Sequence, residues 1–306
     1  MAKKEKKYIL SNGIEIPAVG FGTDMTFMFI KKNIIKGMMV FLKDIFSNHG
    51  YYFKRDISIV KILKNLSVAN CYLVDTASAY GKSEKVVGHM IKNKKIKDCF
   101  LVTKMSNTEQ RTITVETAVN KSRKKLNVDC IDLYLLHWPQ TGTYIDAWKE
   151  LEKVYERGLV KAIGVSNFKP HHFEELKKHA TIMPMVNQVE CHPLFIQEDT
   201  YKYCTQHGIQ MMAYTPTGRM HEKLKNNDIL KEIALKYEKS IAQVIIRWHY
   251  QRGVIPIVNT TKVQHLKENM DIFDFELTEK DMNDISGINM DLRLRYDPDT
   301  VDFTKG

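Results

Sequence analysis

Short apolar runs alternate with longer amphipathic stretches along most of the chain. The apolar runs have the length and branched side chains of buried strands, and they occupy 16–22, 71–75, 99–104, 130–138, 161–166, 184–190, 209–214 and 253–258. Apolar residues recur at helical spacing over 57–68, 83–93, 113–126, 144–157, 170–178, 197–207, 227–237 and 241–252. This alternation predicts an α/β fold in which helices join parallel strands.

Eight such units without an intervening linker predict a single domain over residues 1–306, a (β/α)₈ TIM barrel. Tyr8–Phe21 is predicted to form an N-terminal β-hairpin, because Asn12-Gly13 suits a two-residue type I′ turn. This hairpin would close the bottom of the barrel. A doubly wound sheet is the alternative fold, but no G-x-G-x-x-G sequence follows an early strand.

Two segments stand outside the repeat. Residues 25–56 form an insertion after strand one that is too long for an ordinary βα loop. Its apolar residues have helical spacing, which suits a helix across the barrel loops, a lid or pocket wall, or a dimer or membrane-surface contact. Because this segment follows a strand end, we expect Met25 to Tyr51 to border a functional site at that end of the barrel, with Phe27 or Met28 near the bound substrate. Asp291–Gly306 is predicted to be an irregular tail over the surface.

Composition narrows the class of protein. The chain is 43% hydrophobic and 27% charged, as is usual for soluble globular proteins. Its net charge of +10 suits solvated surfaces, attraction of a phosphate-bearing cofactor, or nucleic-acid binding, but no nucleic-acid motif is present. Four lysines interrupt Met25–Phe46, the most apolar region, which argues against a membrane span.

The cysteines and the N-terminus indicate the compartment. Five cysteines without CxxC spacing suit reduced, buried thiols, and no metal site is expected from them. The lysine-rich N-terminus is not followed by a secretory apolar stretch. We therefore expect a cytoplasmic protein.

Reactive side chains follow the ends of several predicted strands. Asp75 ends one strand and Tyr80 follows five residues later, while Lys104 and His137 follow the next two strands. Ser166-Asn167 and Asn187-Gln188 occupy the ends of the two strands after these. A parallel barrel gathers these ends at one mouth, where barrel enzymes carry their active sites.

The types of these residues indicate proton transfer to a carbonyl oxygen. A tyrosine is a poor acid at neutral pH unless a nearby ammonium stabilises its phenolate, and an aspartate keeps that ammonium charged. Asp75, Tyr80 and Lys104 provide this set, and His137 can donate a hydrogen bond to a substrate oxygen. Each residue alone also suits an ordinary structural role, such as a cap or a core histidine. If all four residues lie together at the mouth of the barrel, carbonyl reduction is favoured over four separate structural roles.

Nearly the whole chain resembles the aldo-keto reductases. The resemblance rests on Leu10-Ser-Asn-Gly-Ile-Glu-Ile-Pro-Ala-Val-Gly-Phe-Gly-Thr23, Val74-Asp-Thr-Ala77 with Tyr80-Gly81, Leu135-Leu-His-Trp-Pro139, Gly158-Leu-Val-Lys-Ala-Ile-Gly-Val-Ser-Asn-Phe168 and Val186-Asn-Gln-Val-Glu190. The segment after Pro139 and the Tyr-Asp-Pro-Asp tail resemble the microbial branch near the diketogluconate and methylglyoxal reductases.

The resemblance implies a role for each matching residue. Tyr80 would be the general acid, Lys104 would lower its pKa, Asp75 would be the counter-ion of the lysine, and His137 would orient the carbonyl. Ser166, Asn167 and Gln188 would hold the nicotinamide carboxamide, and Tyr214 would stack on the ring. The remaining implied cofactor contacts are Thr23, Asp75, Thr215, Pro216, Thr217, Thr260, Thr261, Lys262, His265, Glu268 and Asn269. Asp24, Tyr80, His137 and Trp138 would contact the substrate.

The chain departs from the family pattern at three places. Asp24 replaces the usual aromatic residue after Gly-Thr, and the insertion changes the mouth. Asn259 and His265 replace the usual lysine and arginine of the adenosine-phosphate segment. A 2′-phosphate needs a cationic partner, and Lys262 can substitute. NADPH is therefore the expected cofactor, and NADH stays possible.

These observations predict a monomeric NAD(P)H-dependent reductase of a small aldehyde or ketone, with no nucleic-acid partner and no membrane span. A non-catalytic nicotinamide-binding subunit, like the potassium-channel β-subunits of the family, is the alternative. An isomerase or aldolase that uses Lys104 as a Schiff base is a third option, disfavoured by the Asp75–Tyr80 pairing.

Overall fold

The computed structural model of the protein describes residues 6–24 and 54–303. The predicted insertion at 25–56 therefore lies outside the described residues, apart from its last three positions. Those three belong to a helix, Lys54–Leu63, which begins three residues earlier than its predicted start at 57. The expectation that Phe27 or Met28 borders the site also falls outside the described residues.

Eight parallel strands form a closed barrel, as predicted. Neighbours follow chain order from β3 to β10, and β10 pairs with β3 to close the ring. The strands, which include a separate hairpin, are β1 (Lys7–Ile9), β2 (Glu15–Pro17), β3 (Gly20–Gly22), β4 (Leu73–Asp75), β5 (Phe100–Met105), β6 (Leu133–Leu136), β7 (Ile163–Ser166), β8 (Val186–Glu190), β9 (Gln210–Tyr214) and β10 (Ile255–Val258).

Helices surround the barrel at each predicted position. They are α1 (Lys54–Leu63), α2 (Ser83–Lys92), α3 (Asn107–Thr112), α4 (Val115–Leu126), α5 (Tyr144–Glu156), α6 (Pro170–Lys177), α7 (Glu198–Gln206), α8 (Glu222–Lys225), α9 (Asp228–Lys236), α10 (Ile241–Gln251), α11 (Val263–Met270) and α12 (Glu279–Ser286). The sequence did not predict α3, α8, α11 or α12. Of these, α3 and α8 have only six and four residues, too few for a clear apolar period.

The N-terminal hairpin is present, but its turn differs from the prediction. Ile9 pairs with Glu15, and the amide of Leu10 donates to the carbonyl of Ile14, so three residues form the loop. Gly13 has a φ of +85°, the left-handed conformation that such a loop needs at its third position. The predicted strand 16–22 is also two strands, because the chain bends between β2 and β3.

The hairpin lies at the N-terminal ends of the barrel strands. The Tyr8 hydroxyl donates to the carbonyl of Tyr250 at 2.7 Å, and Asn12 Nδ2 donates to the carbonyl of Lys161 at 3.0 Å. These contacts close the bottom of the barrel, as predicted. The opposite end stays open and carries the strand C-terminal ends.

Strands buried on both faces explain the continuous apolar runs. Leu133–Leu136 is wholly buried, as are the apolar residues of β7 and β10. A second apolar cluster, which includes Trp248, joins α9, α10 and α12 beside the barrel. Over the described residues, no helix combines the length and the apolar character that crossing a membrane requires.

Candidate active site

Asp75 and Lys104 form a buried ion pair at the ends of β4 and β5. The Lys104 ammonium donates to Asp75 Oδ1 at 2.6 Å, to Asp75 Oδ2 at 2.7 Å and to the carbonyl of Thr76 at 3.0 Å. Lys104 is 0% exposed and Asp75 is 3% exposed. Because three acceptors use the three ammonium hydrogens, Nζ is held in one place.

Thr23 supports this pair from behind. Its amide and its hydroxyl both donate to the carbonyl of Asp75, at 2.9 and 3.0 Å. Ser83 Oγ donates in turn to Thr23 Oγ1 at 2.6 Å. The Thr23 side chain is buried and its bonds hold the end of β3 against β4, while its expected cofactor contact stays a prediction.

Tyr80 and His137 lie above the ion pair. The ring centroid of Tyr80 is 5.2 Å from Lys104 Nζ and 5.7 Å from the ring centroid of His137, with the two rings edge to face at 77°. His137 directly follows β6, and its amide donates to the carbonyl of Met105. The four predicted chemical groups therefore meet at one mouth.

Burial governs the protonation states of Tyr80 and His137. Burial raises the pKa of Tyr80 well above its usual value, and the negative charges of Asp75 and Asp24 add to this. The net pKa of Tyr80 is raised, and a lowering of it by Lys104 stays a prediction. Enclosure of the ring, helped by the charges of Lys104 and Arg295, lowers the pKa of His137 to about 3. Tyr80 is thus a protonated phenol and His137 a neutral imidazole at neutral pH.

Ser166 and Gln188 connect this group to the next two strands. Ser166 Oγ donates to the carbonyl of Gln188 at 2.7 Å, and Gln188 Nε2 donates to Asp75 Oδ1 at 2.8 Å. All three side chains are buried and border the same cavity. The amide of Gln188 therefore cannot rotate without breaking a charge-assisted hydrogen bond.

Asn167 links His137 to Tyr214. Its Nδ2 donates to the carbonyl of His137 at 2.9 Å, and its Oδ1 accepts from the Tyr214 hydroxyl at 2.8 Å. Asn167 has a φ of +66°, a left-handed conformation that asparagine adopts more readily than most residues. This conformation turns the chain at the end of β7, so the amide reaches across the mouth.

These residues line a cavity of about 990 Å³ at the C-terminal end of the barrel. Its walls come from most of the strand ends and from the C-terminal tail. The predicted residues among its lining are Asp24, Asp75, Tyr80, His137, Trp138, Ser166, Asn167, Gln188, Tyr214, Thr215, Pro216 and Thr217.

The C-terminal tail forms one wall of this cavity. Over its described residues, 291–303, it has no helix or strand, as predicted. It does not simply cover the surface, because Arg295, Tyr296, Val301, Asp302 and Phe303 line the cavity. The ring of Phe303 packs 5.0 Å from that of Trp138, centroid to centroid. Arg295 Nη2 lies 3.5 Å from Asp24 Oδ2, so the tail also pairs with the residue that departs from the family pattern.

The profile of the Aldo/keto reductase family matches residues 46–290. The chain belongs to this family. It is 38% identical over 305 residues to the uncharacterized oxidoreductase YtbE of Bacillus subtilis (strain 168), with 98% of each chain covered. It is 45% identical over 232 residues to the glyoxal reductase of the same organism, over 75% of this chain and 83% of the relative.

Solved structures of aldo-keto reductases share the fold. A Bombyx mori aldo-keto reductase in complex with NADP superposes with a TM-score of 0.80 at 26% identity, over 99% of this chain and 97% of that chain. The predicted membership, the barrel and the similarity to microbial oxidoreductases are therefore confirmed.

The segment expected to bind the adenosine phosphate lies beyond the cavity. Thr260 Oγ1 accepts from the amide of Lys262 at 3.1 Å, which shapes the turn into α11. Thr260 is buried, Lys262 and His265 are exposed, and Thr261, Glu268 and Asn269 are half-buried. Asn259, next to this turn, lines the cavity and donates to the carbonyls of Gly22 and Asp24. The segment therefore continues one edge of the cavity outward.

Several residues that line the cavity of this aldo-keto reductase were not predicted from the sequence. Arg219 and Met220 follow Tyr214 by several residues, and both have positive φ values of 53° and 49°. Asn107 and Thr108 lie in the first turn of α3, which begins with a capping box between Ser106 and Glu109. This capping box was visible in the sequence as Ser-x-x-Glu and could have located α3 at the mouth.

Among the described residues, His171, His172 and Asp299 bring potential metal-ligand atoms within 4.8 Å of one another. However, His172 Nδ1 accepts the backbone N–H of Lys169 at 3.1 Å, which places the ring proton of a neutral imidazole on Nε2. The Lys169 ammonium also pairs with Asp299 at 2.7 Å. The group therefore suits an anchor of the tail better than a metal site.

Proposed function

We propose that this protein reduces an aldehyde or ketone to the alcohol with NADPH, and that Tyr80 is the general acid. The observation that carries the proposal is the protonated Tyr80 phenol, placed against neutral His137 and above the buried Lys104–Asp75 pair. Membership of the aldo-keto reductase family supports the same chemistry.

His137 and Tyr80 supply hydrogen bonds to the reacting oxygen. A neutral imidazole can donate one N–H without competing with the phenol for the role of acid. Because the pKa of Tyr80 is raised, the phenol keeps its proton until negative charge develops on the substrate oxygen. The Lys104 ammonium then stabilises the phenolate that remains after proton transfer.

Asp75 keeps the Lys104 ammonium charged and in position. Burial lowers the pKa of Lys104, and the Asp75 carboxylate opposes this effect, so the ammonium keeps its charge. Gln188 fixes the carboxylate from the other side. The ion pair is therefore preorganised and needs no reorientation during the reaction.

The residues at the mouth fit a nicotinamide cofactor. Ser166, Asn167 and Gln188 gather amide and hydroxyl groups on one side of the cavity, and Asn259 Oδ1 is buried without a hydrogen-bond partner among the described residues. When bound, the cofactor supplies the hydride. Ser166, Asn167 and Gln188 would hold its carboxamide, Tyr214 would stack on its ring, and Lys262 would face the 2′-phosphate.

The absorbance of reduced cofactor tests the proposal. The protein is incubated with NADPH and a panel of aldehydes and ketones that includes glyoxal, since one relative is a glyoxal reductase. We expect loss of NADPH and formation of the alcohol. Tight binding of NADPH without turnover on any carbonyl would instead support the non-catalytic binding subunit.

A further inference from the structure

Glu190 is a buried carboxylate that the proposed reaction does not use. It ends β8, is 0% exposed, and lies within 3.1 Å of His192 Nε2. Its Oε1 also accepts the amide of Leu294 at 2.7 Å, and its Oε2 accepts the amide of Arg295 at 3.0 Å. A buried carboxylate with such partners costs free energy to disturb, so these two bonds hold the tail firmly.

The second anchor of the tail is nearer the surface. The Lys169 ammonium contacts Asp297 and Asp299, each at 2.7 Å, but both carboxylates are more than a third exposed. Exposed ion pairs contribute little to stability. Another nearby bond of the tail runs from the amide of Leu292 to the carbonyl of Leu194 at 2.9 Å, so Glu190 is the anchor that holds the backbone of Arg295 itself.

Arg295 lines the same cavity as Tyr80 and His137. Its Nη2 lies 3.5 Å from Asp24 Oδ2. Its charge acts on both Tyr80 and His137, and it lowers the pKa of each. A guanidinium presents several donors in a fixed plane, which suits an oxygen acceptor next to a bound carbonyl.

We propose that Arg295 binds a second oxygen beside the reacting carbonyl, and that Glu190 is the positioning residue that holds Arg295 there. The favoured substrates are then 1,2-dicarbonyls or 2-oxo acids rather than simple aldehydes. This inference rests on the proposed function, because it concerns the substrate of the same site. Asp24 limits the preference for anions, since its carboxylate competes for the guanidinium.

The test compares methylglyoxal with propanal, which lacks only the second carbonyl oxygen. Arg295→Ala should lower kcat/KM for methylglyoxal by about 10-fold or more, as expected for loss of a hydrogen bond to a charged group. The rate with propanal should change little. Glyoxylate, a 2-oxo acid, distinguishes the 2-oxo acids from the neutral 1,2-dicarbonyls. Because Asp24→Asn removes a negative charge beside Arg295, it should raise kcat/KM for glyoxylate relative to kcat/KM for methylglyoxal.

Glu190→Gln should also lower kcat/KM for methylglyoxal more than for propanal. The NH₂ group of the introduced side chain would face a backbone N–H of the tail, where the carboxylate oxygen accepts a hydrogen bond. In an Arg295→Ala background, Glu190→Gln should add little further loss of selectivity, because a double-mutant cycle reveals residues that act through one another. Arg293→Ala is the matched control, because this tail arginine packs 4.4 Å from the ring of Phe195 and should leave the ratio of the two rates unchanged.

Any of four results would overturn the inference. An unchanged methylglyoxal-to-propanal ratio in Arg295→Ala would exclude the substrate contact. Equal losses for both substrates in Glu190→Gln, or full additivity in the double variant, would reduce Glu190 to a support of the barrel. If Glu190→Gln does not fold, Leu294→Pro removes one donor from the tail side, and a retained substrate ratio there would contradict the positioning role.

Hydrogen exchange separates this inference from the proposed function. The amides of Leu294 and Arg295 should be protected in the wild-type protein and exchange faster in Glu190→Gln, whether or not any carbonyl is reduced. A wild-type protein that reduces no carbonyl would refute the proposed function, and with it the substrate contact. Unprotected amides in an active enzyme would refute the anchor alone.

Discussion

The Lys104 ammonium lies 2.6 Å from Asp75 Oδ1, and the pair is shielded from solvent beneath the proposed acid. Two charges in such a place depend on each other, because removing one leaves the other buried and uncompensated. Loss of either partner is therefore expected to affect the stability of the fold and, under the proposed function, the reaction.

Lys104→Met should destabilise the fold by about 3–5 kcal/mol, because Asp75 would keep a buried charge without a partner. Denaturant unfolding measures this loss. Lys104→Met combined with Asp75→Asn should recover part of the stability while activity stays lost. If the single variant is as stable as the wild type, the two side chains are not coupled in solution.

Tyr80→Phe should lower carbonyl reduction by roughly 10²–10⁴-fold, because it removes the proton donor and little volume. The Kd for NADPH should stay near its wild-type value, since Tyr80 is not proposed to anchor the dinucleotide. Steady-state rates and fluorescence titration measure the two effects. Near-normal turnover in this variant would remove Tyr80 from the role of acid.

Lys262→Ala should weaken binding of NADPH and leave NADH almost unaffected, because only NADPH carries the 2′-phosphate. Lys267→Ala is the matched control, since Lys267 is an exposed lysine of α11, the helix that begins directly after Lys262. Isothermal titration with both cofactors makes the comparison. An equal loss for both cofactors would place Lys262 at the pyrophosphate or in the fold.

Stability should fall as the pH is lowered below about 6.5, in part because of His249. This histidine is buried, its Nε2 lies 3.0 Å from the carbonyl of Pro216, and burial lowers its pKa to about 3. At pH values between about 6.5, the pKa of His249 in the unfolded chain, and about 3, its pKa in the folded protein, His249 binds a proton only in the unfolded chain. Folding is therefore less favourable at lower pH throughout that window.

His249→Gln should flatten this dependence, because an amide can still donate to Pro216 but cannot take up a proton. The slope should fall by up to about 1.4 kcal/mol per pH unit within the window. Urea unfolding between pH 6.5 and 4 measures the slope. An unchanged slope would mean that His249 takes up no proton on unfolding.

The sequence predicted the barrel and its four chemical groups because both depend on local order. Asp75, Lys104 and His137 each lie at the end of an apolar run, and parallel strands bring such ends together. Arg295 and Phe303 have no such signal, because they reach the mouth from an irregular tail held by distant contacts. The pKa of Tyr80 could not be predicted either, since it depends on burial and on where the charge of Asp75 lies.

Asn259 shows what closing the barrel requires of a growing chain. Its amide bonds the carbonyl of Gly22, 237 positions earlier, where β10 meets β3. Until β10 has been synthesised, β3 and β9 each have an open edge, and open edges invite pairing with other chains. Because β10 must emerge before this seam can form, the barrel is expected to close only after β10 has been synthesised, with the greatest risk of aggregation just before closure.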